Sequence, residues 1–85
     1  MAWQLYILPA ALKSLTRISP PFQDRIRTRI RELSLNPRQP DGRKLVAAKD
    51  LYRIRVSAYR VLYQIADRES IVTVVKLGHR REVYH

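Results

Sequence analysis

Leu51-Tyr52-Arg53-Ile54-Arg55-Val56-Ser57-Ala58-Tyr59-Arg60-Val61-Leu62-Tyr63-Gln64-Ile65-Ala66 is the stretch whose reading decides the fold. From Leu51 to Ser57 the residues alternate, with Tyr52, Ile54 and Val56 on one side and Arg53, Arg55 and Ser57 on the other, as in a half-buried strand. Arg60 to Ala66 reads as a second strand. A loop of two or four residues centred on Ala58-Tyr59 pairs Val56 with Val61, Ile54 with Tyr63 and Tyr52 with Ile65, gathering one apolar face for helices to cover. The same parity brings Arg53 and Arg55 together with Arg60, Leu62 and Gln64 on the opposite face. A three-residue loop would reverse that relation.

Like charges side by side on a sheet repel, and no acid answers these three. Only Asp50, Asp67 and Glu69 lie near the two strands in sequence, all at strand ends. Edge-strand cations that deter aggregation are one reading. A phosphate-binding surface explains the clustering better, because the arginine fork grips phosphate with two parallel bonds.

Working outward, the polar turn Asp67-Arg68-Glu69-Ser70 leads to a further strand, Ile71 to Leu77. Upstream, Asn36 to Gly42 holds two prolines and a glycine and reads as a loop, followed by the approach Lys44-Leu45-Val46. Phe22, Ile26, Ile30 and Leu33 recur at helical spacing, with Ser19 suited to the N-cap and Pro20 to the first helical position. That helix ends near Asn36-Pro37, and its Arg25, Arg27, Arg29 and Arg31 fall mostly on a solvated side. A shorter helix from Pro9 places Ala11, Leu15 and Ile18 on one stripe, and Ala2 to Leu8 before it suits an opening strand. The order is strand, two-helix hairpin, then a mainly antiparallel sheet of three further strands. This predicts an α+β fold in one domain, 1–85.

Composition narrows the function classes. In 85 residues there is room for one core, and 46% hydrophobic residues suffice to build it. With no cysteine and two histidines, His79 and His85, there is neither a disulfide framework nor the makings of a zinc site, so no metal or cofactor is expected. Met1 to Leu8 carries no basic leader and no apolar run approaches the roughly 20 residues that span a bilayer, so a cytoplasmic protein without a membrane partner is expected. Lys and Arg number 17 against 7 Asp and Glu, a formal net charge of +10, and 13 of the 17 are Arg. Such a chain seeks polyanions, nucleic acid first.

The ending Gly78-His79-Arg80-Arg81-Glu82-Val83-Tyr84-His85 joins arginines to histidine and tyrosine. Arginine for phosphate charge, histidine for proton transfer and an aromatic ring for base stacking are the residue types that RNA cleavage by its own 2′-hydroxyl requires. A solvated tail is the plainer reading of the same run.

Leu51 to Val56, the block Tyr59 to Ile65 and the ending Gly78 to Tyr84 resemble, in order and approximate spacing, the RelE-type toxins of the RelE/ParE superfamily. With the Lys44-Leu45 approach and the helix pair, the resemblance covers nearly the whole chain. It implies a type II toxin that cuts messenger RNA in the ribosomal A site without a metal, by activating the 2′-hydroxyl. It implies as partners the ribosome, the message and a cognate acidic antitoxin, with operator DNA reached only through that antitoxin. Carried over by position, Arg53 and Arg55 take the family's basic strand pair, Arg60 its third phosphate-binding cation, Arg80 its C-terminal cation and Tyr84 its stacking tyrosine. Arg81 joins the RNA-binding set, and His79 stands where a basic residue is common.

The best-known member has lysines at the two strand positions, one proposed as general base. Arginine is a poor proton acceptor, so that role does not transfer to Arg55, and His79 becomes the candidate for proton transfer. Two rival functions keep parts of the pattern. A ParE-type gyrase inhibitor shares the fold without nuclease activity, and a non-catalytic nucleic-acid module needs neither His79 nor Tyr84.

Overall fold

The computed structural model describes residues 3–46 and 49–83. Strand β1 (Gln4–Ile7) stops where Pro9 opens helix α1 (Pro9–Thr16), and α2 (Pro20–Leu35) follows after a short link. Ser19 occupies the N-cap of α2 with φ −59° and ψ 145°, yet its side chain makes no capping bond. Pro21 at the second helical position removes one of the two N–H groups that a cap side chain can satisfy, leaving that of Phe22. Four strands come next: β2 (Arg43–Lys44), β3 (Leu51–Val56), β4 (Tyr59–Ala66) and β5 (Ile71–His79), with a single turn of helix, α3 (Arg80–Val83), at the end.

The strands form one sheet in the order β1-β5-β4-β3-β2, antiparallel except for the parallel pairing of β1 with β5. The expected α+β architecture is therefore present, with one strand and one helical turn more than the residue pattern signalled. β2 has two residues, both exposed, too few and too polar to produce an alternation.

Leu15, Ile26 and Leu33 from the helices are fully buried against Ile54, Val61, Val72 and Val74 from the sheet. Each such side chain contributes about 1.5–3 kcal/mol by leaving water. Tyr63 is buried among them, and its hydroxyl donates to the Pro37 carbonyl at 2.9 Å, which ties the 36–42 loop to the core. Gly42 lies beside that bond: a Cβ there would stand 3.1 Å from both the Tyr63 hydroxyl and the Gln39 carbonyl oxygen. No helix among the described residues is long and apolar enough to cross a membrane.

The β3–β4 register corrects one expectation. The pairs are Val56 with Tyr59, Ile54 with Val61 and Tyr52 with Tyr63, two residues from the expected alignment. The turn is Ser57-Ala58 rather than one centred on Ala58-Tyr59, with Ser57 in the left-handed region at φ 56°. A shift of two preserves parity, so the division into an apolar and an arginine-bearing face is unchanged.

Candidate nucleic-acid interface

On the face turned away from α1 and α2, cross-strand pairing sets Arg55 directly opposite Arg60 and Arg53 opposite Leu62. The sequence reading left out two further cations that belong here. Arg43 on β2 pairs with Arg53, and Lys76 on β5 pairs with Leu62. Lys76 reaches this face through an irregularity. Leu62 pairs with Lys76 while its neighbour Tyr63 pairs with Val74, so Val75 is an extra residue in β5. Strict alternation from the buried Val72 and Val74 would turn Lys76 into the core; the inserted Val75 turns it out and buries Leu77 instead.

Directly opposed residues in an antiparallel pair stand about 5 Å apart, so the Arg55–Arg60 juxtaposition is repulsive. The Arg60 guanidinium turns back on its own hairpin and donates to the carbonyls of Ser57 and Tyr59, at 3.4 and 3.2 Å. Arg43, Arg53, Arg55 and Arg60 take part in no salt bridge among the described residues.

Three acids, Glu32, Asp41 and Asp67, are engaged elsewhere. Arg29, expected on a solvated helix face, has a side chain only 24% exposed. It donates to both oxygens of Asp41 at 2.7 and 2.8 Å, meets Glu32 at 3.1 Å and reaches the Arg55 carbonyl at 3.4 Å. Arg38 grips Asp67 with two bonds of 2.9 Å and lies over the Tyr52 ring at 5.8 Å. The guanidinium of Arg29 holds the Asp41 carboxyl below the ordinary carboxylate range, and that of Arg38 does the same for Asp67. Burial pushes the Tyr63 phenol up to about 12, with the Asp41 charge adding to the effect.

The remaining expected residues lie at the end of β5. His79 pairs with Tyr59, which packs against the helix-side core, and the two rings meet edge to face at 5.9 Å. Its ring therefore sits on the helix side of the sheet, in a cleft lined by Ser14, Arg17, Ile18, Ser19 and Tyr59, and is not brought onto the arginine face. His79 Nδ1 accepts the Arg81 N–H at 3.3 Å, which leaves the proton of a neutral ring on Nε2. Arg80 opens α3 beside the β3–β4 turn, its backbone N–H donating to the Ala58 carbonyl at 2.8 Å, and both Arg80 and Arg81 are exposed. Tyr84, the expected stacking residue, lies outside the described residues.

An open cationic sheet backed by a helix pair defines the class of protein, and the comparisons name it. Residues 5–84 match the family described as ParE toxin of type II toxin-antitoxin system, parDE. The mRNA interferase toxin RelE of Escherichia coli strain K12 is 31% identical over 88 residues, spanning 99% of this chain and 92% of that protein. Among solved structures, the isolated E. coli RelE toxin is similar with a TM-score of 0.81 at 28% identity, covering 92% of this chain and 84% of that one. The toxin in the intact E. coli RelBE toxin-antitoxin complex gives 0.81 at 26% identity, covering 92% and 96%. The chain belongs to the ParE toxin family of type II toxin-antitoxin systems, within the RelE/ParE superfamily.

Proposed function

We propose that this chain is an endoribonuclease that cuts messenger RNA held in the ribosomal A site and so stops translation in the cytoplasm. The observation that carries the reading is the set of guanidiniums on the sheet, Arg53, Arg55 and Arg60 with Arg43 beside them, that no carboxylate among the described residues neutralises. Uncompensated like charges destabilise a sheet, and a polyanionic ligand removes the penalty when it binds. The similarity to a protein named mRNA interferase toxin RelE supports RNA as that ligand.

In this site the 2′-oxygen attacks the adjacent phosphorus. Arg53, Arg55 and Arg60 hold the phosphate oxygens and stabilise the charge that develops on them, so the guanidiniums supply the positive charge a metal would bring to other nucleases. Arg80 and Arg81 extend RNA contact past the end of β5, and Tyr84 stacks on a base. The ribosome fixes the message in the strained geometry that in-line attack needs, which this small surface could not impose alone. Because the His79 ring lies on the helix side, the arginine face acts by charge and the histidine contacts neighbouring phosphate.

The partner is an acidic antitoxin whose flexible segment folds on binding, as the similarity to the toxin of a RelBE complex supports. Contact with operator DNA runs through that antitoxin. The ParE description of the matching family favours a second reading, inhibition of gyrase without RNA cleavage. Expression of the chain, followed by mapping of message ends on translated and untranslated transcripts, separates the two. New ends confined to translated messages are expected. Intact messages together with loss of gyrase supercoiling would overturn the nuclease reading.

A further inference from the structure

Resting on that proposed cleavage, we infer that Lys76 is the proton donor to the leaving 5′-oxygen of the RNA. The arginine face lacks an effective acid. Four guanidiniums can hold a phosphate, but guanidinium is a very weak acid, two or more pK units weaker than a lysine-type ammonium. The imidazole of His79, at this end of the sheet, has its ring on the other side, against Tyr59.

The inserted Val75 turns Lys76 onto the arginine face, where it is exposed. Its pairing with Leu62 sets it one strand from Arg60, on the diagonal, and two strands from Arg53. Diagonal neighbours on one sheet face lie about 7–8 Å apart at the backbone, within reach of long side chains that close on one phosphodiester. Gly78, directly opposite Arg60, puts no side chain between them. An ammonium there has three donors and can deliver a proton to an oxygen of the phosphate that the arginines hold.

Solvent hydroxide takes the 2′-hydroxyl proton and becomes water, the 2′-oxygen forms a bond to phosphorus, and the bond from phosphorus to O5′ breaks. The departing electron pair on O5′ takes a proton from Lys76. The products are a 2′,3′-cyclic phosphate and a 5′-hydroxyl end. The neutral lysine amine then takes a proton from water, which regenerates the hydroxide.

The test uses the full chain on programmed ribosomes, with messages carrying either the natural oxygen or a bridging sulfur at the 5′ position of the mapped cut. A thiolate leaves without protonation, so it relieves the need for an acid and for nothing else. Lys76→Ala and Lys76→Arg are both expected to slow cleavage of the oxygen message by about 10²–10⁴-fold, the usual worth of a positioned acid. Both should return to within about threefold of the wild type on the sulfur message. Wild-type rates in Lys76→Ala on the oxygen message would overturn the inference. So would equal slowing on both messages, which marks a binding or folding role, as would full activity in Lys76→Arg, which marks charge alone. A wild-type chain that leaves both messages uncut removes the nuclease reading itself and this inference with it.

Discussion

Two sets of arginines in this small chain meet opposite fates. Arg29 and Arg38 are each clamped by a carboxylate in two-bond geometry and join α2, the 36–42 loop and the turn after β4. Arg43, Arg53, Arg55 and Arg60 share one face of β2, β3 and β4, with no ion pair to a carboxylate among the described residues. The sequence has 7 acids against 17 bases, and three of those acids, Glu32, Asp41 and Asp67, pair with Arg29 and Arg38 in the framework. The difference teaches how to sort arginines in a basic domain: those with acidic partners shape the scaffold, and those that repel each other await a ligand.

The largest effect should come from the second set. Arg60→Ala or Arg55→Ala is expected to remove about 2–4 kcal/mol of transition-state stabilisation, roughly 30- to 1,000-fold in cleavage on ribosomes. Thermal melts should show no loss of stability, since neither side chain belongs to the core. A variant that melts many degrees lower would mean the residue belongs with the scaffold set.

The division into faces was legible in the residues because it follows from parity alone: burying Ile54, Val61, Tyr63 and Ile65 turns Arg53, Arg55 and Arg60 outward whichever even loop joins the strands. The absolute register was not legible. Its turn rests on Ser57 at positive φ, a position where glycine or asparagine would have announced itself. Lys76 escaped notice for a related reason, as the Val75 insertion has no signature in a run of apolar β-branched residues. The residue pattern ends the last strand at Leu77, whereas His79 continues β5, and the pairing with Tyr59 decides which way its ring turns. Arg29 looked like its helix neighbours because its partner Asp41 lies 12 residues on in a loop whose path no periodicity reveals.

Tyr63 measures how firmly the scaffold holds the 36–42 loop. Its pKa of about 12 in the fold exceeds the value near 10 for an unfolded chain, so the buried neutral phenol is favoured only while it keeps its proton. Stability from this source is complete below pH 10 and is lost as pH rises from 10 through 12, by about 2–3 kcal/mol. Tyr63→Phe should cost about 1 kcal/mol at neutral pH, because the Pro37 carbonyl loses its donor. The same variant should lack that alkaline decline. Parallel curves for both proteins between pH 10 and 12 would show that the phenol ionises without penalty.

The Arg29–Asp41 clamp sits lower on the scale. Asp41 is half exposed, so solvent screening limits its worth, and Asp41→Asn should cost about 0.5–1 kcal/mol. Its folded pKa is depressed, so the contribution is present above the unfolded value near 4 and disappears as pH falls through the folded value. Chemical denaturation of wild type and Asp41→Asn should therefore differ at pH 7 and converge in acid, and the difference at pH 7 should shrink in high salt. A difference that persists in strong acid would trace to packing of the loop and not to the ion pair.

The smallest effect decides the comparison most sharply, because it should carry the opposite sign. Arg55 and Arg60 are directly opposed and neither meets an acid among the described residues, so Arg55→Gln removes a repulsion while keeping a long polar side chain on the strand. Cross-strand pairs of this kind are worth a few tenths of a kcal/mol. The melting temperature of Arg55→Gln should then rise by about 1–3 °C at low salt, given the 4–8 °C per kcal/mol typical of domains this size. The Arg29 guanidinium donates to the backbone carbonyl of Arg55, so that bond survives the change. Added salt should erase the gain by screening the repulsion in the wild type, and a short RNA oligonucleotide should stabilise the wild type more than the variant. A melting temperature that falls in Arg55→Gln would mean the arginine face is held by contacts of its own, and its repulsion could no longer mark it as a ligand site.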